Sequence, residues 1–412
     1  MQPNEEAAPV SQAPMHKGHP VDVTFENYSA EHVNRYTAHM NAIREQCPVA
    51  WSDGHWSPKD TGFWLLTSYA KVREAGLNYR LFTTEQGANP MQQDLDIYRM
   101  VPLENDPPLH TRIRAVLTPF FVPAALDALD DQIRAIVVEL IEQCVAQSPV
   151  DLVKKFSIVL PSRVFFELFL GEDPKEIQWI VELTQRLIDD PSTAPEGAPK
   201  LLQWCAETLQ GRRLAGISDD LIGVIAHAGN EPDFTLTERQ RVEILNLLIL
   251  AGMETTANGI SSVIHTFATN PAAREKLADA DADRINRVID EFLRYASPVT
   301  SAARTLTDQS DGFGCPMHKG ERVILSWTAA NHDPAVFKNP EQLDLERNAS
   351  QHLAFGVGHH KCLGMHLAKR EMRLAIEELR KLAVFELVEG TEITYRTGPQ
   401  QGIVSLPVHF DF

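Results

Sequence analysis

Apolar residues recur every three or four positions over 125–147, 201–215, 237–269, 283–296 and 363–382, a spacing that predicts helices. Two aromatic-rich apolar runs, FWLLTSY at 63–69 and RVILSWTAA at 322–330, read instead as strands of a small sheet. Helix outweighs strand, so the pattern predicts a mainly α protein with a small β-sheet region. One segment stands apart: TERQRVEILNLLILAGMETTANGISSVIHTFATNP. Thr237 and Gln240 are spaced for a capping box and Pro271 closes the run, leaving about thirty helical residues and a rod of roughly 45–50 Å. Its middle, LNLLILAG, is apolar all round, so this helix is expected to be buried on every side and to carry AGMETT to the centre of the molecule. There Glu254 and two threonines are costly to bury unless they have a use.

Length and composition narrow the reading. No Gly/Ser-rich or charge-rich linker divides the 412 residues, so 23–412 is expected to form a single unit. The polar, Pro/Ala-rich stretch 1–22 is expected to be a disordered tail. With 38 Lys and Arg against 56 Asp and Glu, the net charge is −18, which disfavours nucleic acid or an anionic membrane as a partner. Five cysteines (Cys47, Cys144, Cys205, Cys315, Cys362) are odd in number and widely scattered, which argues against a disulfide framework and for a reducing compartment. No run of about 18 apolar residues and no basic-then-apolar leader is present, so the expected location is the cytoplasm.

The stretch FGVGHHKCLG at 355–364 brings in chemistry. Cys362 falls at or just before the start of an amphipathic helix, where free N–H groups and the helix dipole favour a thiolate. Gly356, Gly358 and Gly364 allow tight turns and the close approach of a flat ligand, and Phe355 can pack against the sulfur. A zinc cluster of His352, His359, His360, Cys362 and His366 is an alternative, although no second cysteine lies nearby in sequence. Elsewhere, His110 and Arg114 are four apart, so they share a helix face and can jointly meet a carboxylate.

Phe355-Gly-x-Gly-x-His360-x-Cys362-x-Gly364 resembles the haem-ligand loop of the cytochrome P450 superfamily at every fixed position. Four further stretches match in order. AGMETT (251–256) resembles the oxygen-activation turn, and EFLR (291–294) the Glu-x-x-Arg helix. DPPLHTRIR (106–114) resembles the helix that carries His and Arg to the haem propionates, and ANHDPAVFKNPEQLDLER the meander before the ligand loop.

The resemblance implies a bacterial-type, soluble P450 fold with haem b between the long central helix and the Cys loop. Cys362 would be the axial iron ligand. His110, Arg114, Arg304, His352 and His360 would meet the propionates, with Phe355, Gly356 and Ala251 against the macrocycle. Thr255 and Glu254 would be catalytic, Glu254 standing where the family more often has Asp. Glu291, Arg294 and Arg347 would form a structural network. The substrate pocket would draw on the 83–100 loop, Tyr98, Leu247, Leu250, Ala251, Val299, Thr300, Pro399 and Gln400, which suits a small hydrophobic substrate with a polar anchor.

The implied activity is a monooxygenase using O2 and two electrons from a ferredoxin with its NAD(P)H-dependent reductase. Arg112, Lys361, Lys369 and Arg370 are candidate docking cations. A peroxide-using haem-thiolate enzyme and a non-catalytic haem or gas-binding protein are the alternatives.

Overall fold

A computed structural model describes residues 30–52, 62–89, 95, 98–172, 178–183, 186, 194–396, 398 and 400–411. The 1–22 stretch, Pro399 and part of the 83–100 loop lie outside the described residues. The protein is mostly helical with small sheets.

The central helix runs Glu238–Thr269, 32 residues, with the Thr237/Gln240 capping box formed and Asn270 at its C-cap. It packs against the helices Ala194–Leu214, Ala282–Ala296 and Met365–Leu379, which explains its apolar composition. By length and composition it could cross a membrane, but 61% of its apolar window is buried inside the protein, as befits a core helix. Burial on every side does not hold. Ile244, Leu245 and Ile249 are buried, whereas Leu247, Leu248, Ala251 and Gly252 border a cavity. The apolar face that sequence alone assigned to packing is partly a cavity wall.

Both expected strands are shorter than predicted. Phe63–Leu66 is a strand, but Ser68 accepts a hydrogen bond from the Lys71 N–H and starts the helix Tyr69–Leu77. Arg322–Ser326 is a strand, and Ser326 caps the helix Trp327–Asn331 in the same way. In each case a serine hydroxyl satisfies orphan helix donors and ends the extended run. These two strands pair in parallel at the heart of a five-stranded sheet. Its outer neighbours are Val49–Ser52 on one side and Ser301–Leu306, then Phe82–Thr83, on the other. Trp51 and Trp64 meet edge to face at 5.2 Å, fixing the Val49–Ser52 strand to its partner.

Glu291 and Arg294, the heart of the Glu-x-x-Arg network, are fully buried. Arg294 donates from Nε and Nη2 to the Glu291 carboxylate at 2.7 and 2.9 Å, and to the carbonyls of Asn331, Pro340 and Gln342. Arg347 Nε reaches Glu291 Oε1 at 3.1 Å, and its guanidinium donates to the Lys338 and Asn339 carbonyls. The two arginines thus staple the helix Ala282–Ala296 to the irregular segment 331–347, which leads into the Cys362 loop.

Candidate functional site

The 355–364 loop owes its path to glycine. Gly356 and Gly358 have φ of +66° and +77°, and a Cβ on Gly358 would come 2.6 Å from the Gly76 carbonyl oxygen. The Cys362 N–H donates to the Phe355 carbonyl at 2.9 Å, folding the loop back on itself. The next helix starts at Met365 with Gly364 as its cap. The Cys362 side chain is exposed to a cavity of about 380 Å³ inside the protein. Burial raises its thiol pKa, and the Gly364 N–H, Arg114 and Lys361 only partly offset this.

Two arginines and two histidines lie along one edge of the cavity. His110, Arg114, Arg304 and His360 all border it. His110 is 3% exposed and its Nδ1 has no partner. Burial first, then His359 and Arg114, lowers its pKa to about 4. Burial and then Arg304 push His360 far below the usual imidazole range, and burial and then Arg322 take Arg304 down to about 10. The His110 and His360 rings lie 4.5 Å apart, and His360 Nε2 pairs with the Thr84 hydroxyl at 3.1 Å.

Two arginines with neutral imidazoles beside them, one carrying an orphaned buried nitrogen, suit a dianionic edge. A cysteine sulfur facing the cavity suits a soft metal. Gly364 has nothing within 4 Å of an added Cβ, and Gly252 only Phe165 at 3.8 Å, so both leave room beside the sulfur and beside the central helix. Phe355, Gly356 and Ala251 also line the cavity. The residues present fit haem.

Other expected residues lie elsewhere. His352 is not brought to the cavity: its Nε2 is 3.3 Å from Asp290 Oδ1, and Lys369 joins the same carboxylate at 2.7 Å. The zinc cluster does not assemble. Among the described residues, the His, Cys, Asp and Glu side chains close enough to share a metal ion are Asp106, His359 and His360, without Cys362. Leu247, Val299 and Gln400 line the cavity, whereas Leu250, Thr300 and Tyr98 do not. The Tyr98 hydroxyl accepts a hydrogen bond from Asn246 at 2.9 Å, and burial raises its pKa.

Across from Cys362, Thr255 borders the cavity and its hydroxyl donates to the Ala251 carbonyl at 3.0 Å. That back-bond competes with the helix ladder in the turn where Ala251 and Gly252 carry least bulk. Glu254 turns away from the cavity to Arg396 at 3.4 Å, and the Gln400 amide, oriented to donate, meets the same carboxylate.

Glu371, which sequence reasoning missed, is 2% exposed and lines the cavity. Its Oε2 is unpartnered, and burial raises its pKa well above the carboxylate range. Its place on the Met365–Leu379 helix, one residue from the apolar Met372, gave no pattern to find it by. Of the expected docking cations, Arg112 pairs with Asp233, Lys369 with Asp290, and Arg370 with Asp127 and Asp130, while Lys361 is exposed.

The Cytochrome P450 family model matches residues 198–411. The chain is 32% identical over 326 residues to the vitamin D(3) 25-hydroxylase of Pseudonocardia autotrophica, covering 78% of this chain and 80% of that protein. It is 30% identical over 391 residues to the linalool 8-monooxygenase of Pseudomonas putida, covering 89% and 93%. The solved structure of the polyketide synthase cytochrome P450 PksS of Bacillus subtilis 168 superposes with a TM-score of 0.83 at 28% identity, covering 94% of this chain and all of that one. The chain belongs to the cytochrome P450 family. It is an oxidoreductase of the monooxygenase class, and its cofactor is haem b.

Proposed function

We propose that the chain hydroxylates a small, uncharged hydrophobic molecule in the cytoplasm, with Cys362 as the axial ligand of the haem iron and electrons supplied by a ferredoxin and its NAD(P)H-dependent reductase. The observation that carries this reading is the placement of Cys362 and Thr255 on one cavity whose edge is formed by His110, Arg114, Arg304 and His360. Bound haem with a thiolate ligand supplies O–O bond cleavage and insertion of one oxygen atom into a C–H bond.

The chain's own residues do the rest. His110, Arg114, Arg304 and His360 hold the propionate edge. Leu247, Val299 and Phe165 present the apolar wall that selects the substrate and excludes water. The Thr255 hydroxyl, freed from the Ala251 carbonyl, offers a hydrogen bond toward the cavity. Glu254 moves protons toward Thr255 once it leaves Arg396. His352 acts at one remove, fixing Asp290 and the loop ahead of Phe355.

A terpenoid alcohol is a reasonable first substrate, since the linalool 8-monooxygenase aligns along most of the chain. The test is linalool turnover by the holoenzyme with a ferredoxin, its reductase and NADPH. Product formation that requires all three supports the reading, and product formation driven by hydrogen peroxide alone supports a peroxide-using enzyme instead. The engagement of Glu254 by Arg396 favours that second reading, because peroxide brings its own protons. For docking, reversing the charges of Arg112 and Lys361 together should raise the ferredoxin concentration needed for half-maximal turnover.

A further inference from the structure

Cys47 and Cys315 lie far apart in the chain, yet their sulfurs turn to the same acceptor. Cys47 Sγ is 3.1 Å from the Val49 carbonyl oxygen and Cys315 Sγ is 4.0 Å from that same oxygen. These two distances cap the sulfur–sulfur separation at about 7 Å, and Cys47 adds to the rise that burial gives the Cys315 thiol pKa. Both cysteines are free thiols.

Both are also held in place by main chain. Cys47 extends the helix Ala30–Gln46, its N–H donating to the Ile43 carbonyl at 2.8 Å. Cys315 sits in the turn closed by paired Ser310–Met317 hydrogen bonds, each 2.9 Å. It packs in the apolar cluster with Val49, Phe313 and Met317. Cys47 is half-buried and within reach of small solutes, whereas Cys315 is 5% exposed behind it. This is the arrangement of an attackable thiol with a sheltered resolving thiol.

We propose that Cys47 and Cys315 form a reversible disulfide when the protein meets a hydroperoxide, stapling the end of the first helix to the 310–317 turn. In the first step the Cys47 sulfur attacks one oxygen of hydrogen peroxide. An S–O bond forms, the O–O bond breaks, and the departing hydroxide takes the thiol proton as water. In the second step the Cys315 sulfur attacks the Cys47 sulfur. The S–S bond forms, the S–O bond breaks, and a second water leaves with the Cys315 proton. Two thiols lose two electrons in total, and one peroxide is reduced to two waters. Side-chain rotation and a small shift of the 310–317 turn close the remaining gap. The staple spans most of the chain, so it restricts the unfolded ensemble strongly.

The test treats holoprotein with one equivalent of hydrogen peroxide, and in parallel with diamide, followed by digestion without reductant and mass spectrometry. The expected result is a linked peptide pair carrying Cys47 and Cys315, lighter by two hydrogens and released by reductant. The oxidised wild type should also melt a few degrees higher than the reduced form. In Cys315→Ser, Cys47 should stop at the sulfenic acid and be trapped by dimedone, with no rise in melting temperature. Cys47→Ser should give no linked peptide, and its haem absorption should match the wild type. Equal dimedone labelling of Cys47 in wild type and Cys315→Ser, or disulfide-linked dimers through Cys47, would overturn the proposal.

Discussion

Glu254 and Arg396 form an ion pair at 3.4 Å in which each side chain is 9% exposed. The pair joins the central helix to the 396–402 turn. In that turn the Arg396 N–H donates to the Gly402 carbonyl at 2.8 Å, and Gln400 bridges to Val299. Gln400 therefore touches both the cavity and the Glu254 carboxylate. A ligand that takes up the Gln400 amide loosens the grip on the acid. Glu254→Gln should lower oxygen-dependent turnover by about 100-fold and leave peroxide-driven turnover nearly unchanged. Rates measured under both regimes on the same preparation decide this, and an equal loss in both would remove Glu254 from proton delivery.

Arg294 is 0% exposed and makes all its bonds to Glu291 and to main-chain carbonyls. Removing it leaves the Glu291 charge and three carbonyls without their main donor. Arg294→Leu should cost about 3–5 kcal/mol, read by urea denaturation of the holoprotein. Arg294→Lys should recover only part of that, because one ammonium cannot reproduce the planar fork.

His332 shows how burial, aided by nearby arginines, makes an acid-sensitive group. Its Nδ1 lies 3.0 Å from the Thr328 carbonyl. Burial lowers its pKa to about 4, with Arg294, Arg44 and Arg347 adding to the fall. In the unfolded chain it titrates near 6.5. Above pH 6.5 it is neutral in both states and changes nothing. As pH falls from about 6.5 toward 4 the unfolded chain gains a proton that the folded chain refuses, so stability drops, by about 3 kcal/mol in all. Below about 4 the loss levels off. Denaturation midpoints between pH 7 and 4.5 should fall less steeply for His332→Gln than for the wild type. Parallel slopes would contradict the assignment.

Glu371 should hold its proton at neutral pH, since burial raises its pKa well above the carboxylate range and its Oε2 has no partner among the described residues. Glu371→Gln should then leave stability within about 0.5 kcal/mol of the wild type. It should also remove a protonated-carboxyl C=O stretch from the infrared difference spectrum. Retention of that band in the variant would assign it to another acid.

Features that rest on close sequence spacing were legible before the structure. The Thr237/Gln240 capping box, the Glu291–Arg294 pair and the glycine-bounded Cys362 loop each lie within ten residues, where helix and turn geometry alone bring side chains together. The strand ends were misread because the Ser68 and Ser326 hydroxyls act as helix caps, which composition alone does not separate from strand residues. Partnerships across the fold left no local trace. Arg396 reaches Glu254 from the 396–402 turn, His352 chooses Asp290, and Tyr98 spends its hydroxyl on Asn246. The apolar face of Leu247 and Leu248 looks the same in sequence whether it packs or lines a cavity.

The absorption spectrum of the reduced, carbon-monoxide-treated protein bears most directly on Cys362. The wild type should show a strongly red-shifted Soret band, and Cys362→Ser should lose that shift while keeping its helical circular dichroism. A Cys362→Ser protein with the same red-shifted band would show that another side chain holds the iron.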